Sequence, residues 1–256
     1  MIRSQKAVTV GGREGPQARL TCYVPDLHQP AHDHETPHLS IILAGDCDEE
    51  AAGEERRYSC GAVISRPAGL RHAVRFGASG ALVLALDSCG LPIRGRLSPH
   101  SAKRTPRLGL AARLLPALHS GDQPLLDDML WDAVACADER PEWRLGAAPQ
   151  WLQEARQKMI EQPAAASIAA LARSSGVHPV HFSRMFFRFF GARPSLFRRR
   201  CMVGRAIAAL VSRQATLSSA ACEAGFADQS HMNRAVLVQC GLPPGRLRGL
   251  FVLPNA

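Results

Sequence analysis

No apolar run in this sequence approaches the roughly 20 residues that a bilayer-spanning helix needs. Nor is a secretory leader expected at the start. Only Ala7–Val10 is largely apolar there, between Lys6 and Arg13, so a cytoplasmic protein with no membrane partner is expected. The eight cysteines, at 22, 47, 60, 89, 136, 201, 222 and 240, include no Cys-x-x-Cys pair. That excludes a zinc ribbon and a thioredoxin-like motif. In a cytoplasmic setting the thiols are expected to be reduced, with Cys47 and Cys60 as the one redox-sensing pair worth considering. The run Asp46-x-Asp48-Glu49-Glu50 lacks the glycine and closing glutamate of a calcium loop. With Glu54-Glu55-Arg56-Arg57 it reads as a solvated hairpin.

Acidic residues are also scarce in the second half. Met1–Leu145 holds 17 Lys+Arg against 18 Asp+Glu, a net of −1, whereas Gly146–Ala256 holds 14 against 4, a net of +10. Such one-sided charge is the footprint of a module that binds phosphates.

Within that basic half one pattern occurs twice. Ser167–Phe186 reads SIAALARSSGVHPVHFSRMF and Thr216–Val236 reads TLSSAACEAGFADQSHMNRAV. In each an Ala precedes a Gly by four residues (Ala172 and Gly176, Ala221 and Gly225). In each a His-apolar-polar-Arg run follows (His181–Arg184, His231–Arg234). Ile168, Leu171 and Ala172 fall on one helix face, and the glycine permits a left-handed turn. A second helix then buries Phe182, Met185, Phe186 and Phe189. Each copy therefore reads as a helix-turn-helix, whose second helix enters a DNA major groove.

AGFADQSHMNR (Ala224–Arg234), GLPPGRLR (Gly241–Arg248) and GARPSLFRRRC (Gly191–Cys201) resemble the motifs of the AraC/XylS family of bacterial transcription regulators. The resemblance covers about 100 residues. It implies seven helices, with Pro194–Ser212 bridging two motifs whose recognition helices lie about one DNA turn apart. It places Val180, Ser183 and Arg184 at base edges in the first motif, with Arg188 further along near phosphates, and Gln229, Ser230, Asn233 and Arg234 at base edges in the second. Arg198 and Arg199 would contact phosphate, while Asp228 is read as a helix cap. The chain departs from the family at Val236, where an aromatic is usual, and at Leu237-Val238, where basic residues are common.

Residues 1–90 read as β, with strands at Ala18–Val24, Leu39–Leu43, Gly61–Arg66 and Ala81–Leu86, punctuated by Gly and Pro. His32-x-His34-x-x-x-His38 is followed by Gly45, and Gly61 by Pro67-x-Gly69-x-x-His72. This resembles the two-part cupin motif, with His38 where that family has Glu and Phe76 where it has Asn. The four histidines suit a site for Zn, Fe, Ni or Cu. They suit equally a cavity that they merely line, and both readings stay open here.

The expected architecture is α+β in two domains. A cupin-like sensor barrel spans 1–95, a helical connector 96–146, and a tandem helix-turn-helix domain of seven helices 147–256. In the connector, Leu110, Leu114 and Leu118 form one helical stripe, which Pro116 would kink or break. Leu125–Val134, capped by Asp122, forms another. This pair would either dimerise, giving a homodimer, or pack on its own barrel.

The function implied is a DNA-binding transcription regulator controlled by a small effector at His32, His34, His38 and His72, meeting RNA polymerase if it activates. The rival is a metal-dependent cupin enzyme, a dioxygenase or isomerase. Against it, Asp33 and Glu35 alternate away from His32 and His34, so neither is an obvious acid or base, and the repeat is left without a purpose.

Overall fold

The computed structural model describes residues 5–10, 18–87, 108–120, 148–165 and 167–251. Seven strands come first: β1 (Gln5–Val10), β2 (Ala18–Tyr23), β3 (His28–His32), β4 (His38–Ala51), β5 (Glu54–Ser59), β6 (Val63–Arg66) and β7 (His72–Asp87). All pair antiparallel in the order β1-β2-β7-β4-β5, with β3 also on β7 and β6 also on β4.

The four expected strands are present, two of them as parts of much longer ones. β1, β3 and β5 escaped the sequence reading. HQPAH and EERRYS show no apolar alternation, so pairing with a long neighbour decides their state. β4 and β7 run side by side for most of their length and bend together. The register slips between Ile42 and Ala44 and again between Gly45 and Cys47. There a Cβ on Gly45, whose φ is +79°, would come within 1.9 Å of the Gly80 carbonyl oxygen. Only glycine fits that crossing. Beyond the bend β4 exchanges β6 for β5 as its second partner, so the sheet folds over and encloses a cavity.

The acidic hairpin is solvated only in part. Asp48 holds Arg57 and Glu54 holds Arg56 at the surface. Asp46 and Glu49, however, are buried.

Eight helices follow among the described residues: α1 (Leu108–Ser120), α2 (Gln150–Glu161), α3 (Ile168–Ser174), α4 (Pro179–Phe190), α5 (Pro194–Ser212), α6 (Leu217–Ala224), α7 (Gln229–Cys240) and α8 (Pro244–Leu250). The last seven are those implied for the C-terminal half. Among the described residues no helix is long and apolar enough to cross a membrane. Leu125–Val134, its Asp122 cap and most of the expected connector 96–146 lie outside the described residues.

α1 runs through Pro116, so the proline does not break it. Proline leaves the Ala112 carbonyl without its helical donor. That oxygen lies against Gly241 instead, so close that a Cβ there would sit 1.9 Å from it. α1 packs on α7 of its own chain, with Leu114 and Leu115 buried.

The hydrophobic cores do not follow the expected domain boundaries. α2, α3, α4 and the start of α5 bury Leu152, Met159, Leu171, Ala172, Phe182, Phe186 and Phe197 together. The second motif has no such separate core. Its Ala220, Ala221, Met232 and Val236 join one cluster with Val203, Ile207 and Leu210 of α5 and with Leu39, Ile41, Leu43, Leu82, Leu84 and Leu86 of the sheet. At that seam a Cβ on Gly204 would stand 3.2 Å from the Gly45 nitrogen. The buried Gln239 amide donates to the Leu43 carbonyl at 3.0 Å.

A buried ion pair crosses the same seam. Arg156 of α2 lies 3.9 Å from Asp46, with its guanidinium over Phe190 and Phe197 at 5.5 and 5.2 Å. Burial holds the Asp46 pKa up and the Arg156 pKa down. Removing one partner strands the other. Arg156→Ala is therefore expected to cost about 3 kcal/mol in denaturant unfolding, partly recovered when Asp46→Asn is added.

The described thiols are free. Burial pushes Cys22 up to about 11 and Cys47, Cys60 and Cys201 up to about 12. Cys222 alone of the described six is exposed. A thiolate-directed alkylating reagent at pH 8 should modify Cys222 first among these six and reach the others only on unfolding.

Candidate nucleic-acid interface and effector cavity

Both copies of the repeat are built alike from their ends inward. Ser167 Oγ accepts from Ala170 N and Thr216 Oγ1 from Ser219 N, each at 3.1 Å. These caps start α3 and α6 at equivalent places. Gly176 and Gly225 take φ of +68° and +86° in the turns. Ala172 and Ala221 are buried, so the paired helices approach closely.

The second helices are capped by different residues. Asp228 Oδ1 accepts from His231 N at 2.6 Å, as expected. In the first copy His178 Nδ1 accepts from Val180 N at 3.3 Å, with Pro179 at the first helical position. That histidine cap was not read from the sequence, because His is not a favoured cap; the Pro beside it was the available signal.

With the inner faces held by Phe182, Phe186, Met232 and Val236, the outer faces follow. On α4, Val180, Arg184 and Arg188 are exposed and Ser183 is half-buried. On α7, Ser230 and Arg234 are exposed, while Gln229 and Asn233 are half-buried. Gln229 Oε1 accepts from Ser218 Oγ at 3.1 Å. Asn233 turns its Oδ1 inward, so its amide must rotate outward to meet a base. His231 packs edge-on against Phe226. His181 is exposed, 6.4 Å from the Trp151 ring.

The three consecutive arginines of α5 divide. Arg199 is exposed and Arg198 half-buried, whereas Arg200 is buried beneath the sheet beside Gly45 and Asp46. The sequence reading passed over Phe187, which stands out to solvent on α4. Its position three residues after Arg184 was the available signal.

The second site is the cavity inside the sheet, of about 290 Å³. His32, His34, His38, Ser40, Arg66 and His72 line its polar end. Ile42, Ile64, Val74, Phe76 and Val83 line an apolar part, and Gln5, Arg19, Thr21 and Gln29 also face in, with Tyr23 stacked on Phe76 at 3.9 Å.

The four expected histidines separate into three and one. His32, His34 and His72 bring ligand atoms within 4.8 Å of one another. His32 Nδ1 is 2.9 Å from the Pro30 carbonyl and His72 Nδ1 is 3.1 Å from that of Leu70. Both Nδ1 atoms must donate, which leaves each Nε2 lone pair directed to the cavity. Burial pushes the His72 pKa down to about 4, keeping it neutral. This donor set fits a divalent metal of the Zn, Fe, Ni or Cu kind.

His38 falls outside that group. Arg66 Nη1 lies 3.4 Å from its Nε2, and a guanidinium only donates, so that lone pair is engaged. Burial first, then the Arg66 charge, pushes His38 down to about 3. Arg66 also donates to Glu49 at 2.6 Å and to Ser40 at 3.0 Å. Glu49 Oε1 stands 4.0 Å from His72 Nε2. The carboxylate nearest the histidines is thus Glu49, not Asp33 or Glu35, which are both exposed. Sequence reasoning placed Glu49 in solvent because the strand bend that turns it inward is a tertiary feature.

Residues 171–249 match the model of a family described as a helix-turn-helix domain. The C-terminal half is therefore a DNA-binding helix-turn-helix domain of the kind that transcription regulators carry. The match takes in both of the repeated motifs that resemble the AraC type. No curated protein is detectably similar to the chain.

Solved structures similar to parts of it include the C-terminal domain of AraT, a response regulator from Geobacillus stearothermophilus. That likeness has 19% identity and a TM-score of 0.40, over 43% of this chain and 93% of that one. KdgF from Halomonas sp. is similar at 17% identity and a TM-score of 0.30, over 33% of this chain and 78% of that one. A cupin superfamily protein from Desulfitobacterium hafniense DCB-2 is similar at 14% identity and a TM-score of 0.31, over 34% of this chain and 79% of that one.

Asp228→Ala should lower stability by about 1 kcal/mol through loss of the cap on α7, read as a drop in unfolding midpoint with an unchanged denaturant slope.

Proposed function

We propose that the chain is a sequence-specific transcription regulator whose DNA affinity responds to a small effector bound in the cavity. The observation that carries the DNA part is the matched exposure of Arg184 and Arg234 at equivalent places in two helix-turn-helix copies, within a half of net charge +10. Arginine pairs bidentately with guanine O6 and N7, and Val180, Ser183, Gln229, Ser230 and Asn233 flank the two arginines. Arg188, Arg198 and Arg199 serve the phosphates.

Strand β4 supports the effector part. His38, Ser40 and Ile42 line the cavity, while Leu39, Ile41 and Leu43 pack into the core of the second motif. Successive strand residues face opposite sides, so one strand touches effector and DNA-binding half at once. An effector acts to the extent that it prefers one arrangement of that seam over another.

In this reading residues 1–95 sense, 96–146 connect and 147–256 bind DNA. The active form is a homodimer that meets RNA polymerase if it activates. His32, His34 and His72 would hold a metal, which would supply a Lewis-acid anchor for an anionic effector group.

Arg184→Ala and Arg234→Ala should each weaken binding to the selected operator duplex by about 1–3 kcal/mol. Non-specific binding should change little. Unchanged operator affinity in both variants sinks the assignment. A stoichiometric redox metal with substrate-dependent oxygen uptake would favour the enzyme reading instead.

A further inference from the structure

Among the described residues, the large apolar side chains most open to solvent are Val180 at 51%, Phe187 at 57%, Leu237 at 46% and Val238 at 68%. All four lie on the helices proposed to read DNA, α4 and α7. Phe187 is not part of the inner face of α4, which Phe182 and Phe186 fill. Its placement is also repeated: Phe187 follows Arg184 by three residues, and Leu237 follows Arg234 by three. Three residues on is the same helix face, one turn along. Val180, Arg184 and Phe187 therefore form one stripe, and they line an open groove against the start of α5.

The charge beside this stripe selects its occupant. A protein partner covering it would bury the arginines of the same face without repayment. A DNA duplex pairs them with guanine and phosphate. The apolar group it offers in the major groove is the C5-methyl of thymine. Three residues of helix rise about 4.5 Å, a little more than the 3.4 Å between base pairs.

We infer that Phe187 and Leu237 are specificity-determining residues, each seating the methyl group of a thymine about one base step from the guanine that its helix's arginine reads. This rests on the DNA-binding function proposed above. It adds a sequence preference, thymine beside guanine in both half-sites, and it assigns a task to positions that carry no charge.

The test uses the full chain and duplexes selected by it from a randomised pool. Each thymine of the selected sequence is replaced in turn by deoxyuridine, which removes only the methyl. For the unaltered chain, one such replacement in each half-site should weaken binding roughly fourfold, the worth of one buried methylene-sized group. Phe187→Ala should abolish the effect in one half-site and Leu237→Ala in the other. Both side chains are exposed, so melting should hold in both variants.

Phe187→Lys should tighten binding to all duplexes and steepen the salt dependence by about one counterion, with no response to the methyl in its half-site. If no methyl matters to the unaltered chain, or if both effects persist in both variants, the inference is wrong while the regulator reading stands. Methyl-insensitive binding together with dissociation of DNA-free dimers by Phe187→Lys would assign the stripe to a second copy of the chain instead. A pool that yields no preferred sequence would overturn the regulator reading and this inference with it.

Discussion

The structure depends on one seam, where the outer face of the bent sheet packs on α5 and α7. Leu39, Ile41 and Leu43 of β4 share a continuous apolar cluster with Val203, Ile207, Met232 and Val236. A helix-turn-helix pair is small, and short helices bury little by themselves. The first motif closes its core with α2 and its row of phenylalanines. The second borrows the sheet. Its second helix is therefore joined to the sheet, through the Gln239 amide on Leu43 as well as through packing.

That dependence gives the cavity its reach. The inner and outer faces of β4 differ by one residue in sequence, so one strand serves as cavity wall and as part of the seam. Cores packed at crystal-like density shift between discrete arrangements rather than deform smoothly. The Arg156–Asp46 pair and the contact of Gly204 on Gly45 lie at the bend of β4, where the strand passes from cavity wall to seam.

Inside the cavity the same economy governs polar groups. Arg66 is buried and must find acceptors. It takes Glu49, Ser40 and the lone pair of His38. That choice removes His38 from any ligand set and leaves three imidazoles, of which His32 and His72 are each oriented by a carbonyl two residues back. His38 thus answers to Arg66 rather than to the three-histidine group.

Local chemistry made much of this legible beforehand. Asp228 caps a helix because its side chain satisfies a backbone group beside it. Gly176 and Gly225 mark turns because they tolerate a positive φ. The exposed arginines follow once Phe182 and Met232 are recognised as core. All of these rest on neighbours within four residues. What spacing could not reveal was which distant groups meet. Glu49 turned inward, Arg200 buried under the sheet, Pro116 accommodated against Gly241, and the second motif lacking a core of its own are each set by contacts between parts far apart in the chain. Those contacts were decided by burial and by the pairing of polar groups in three dimensions, for which the linear order of residues holds no local signal.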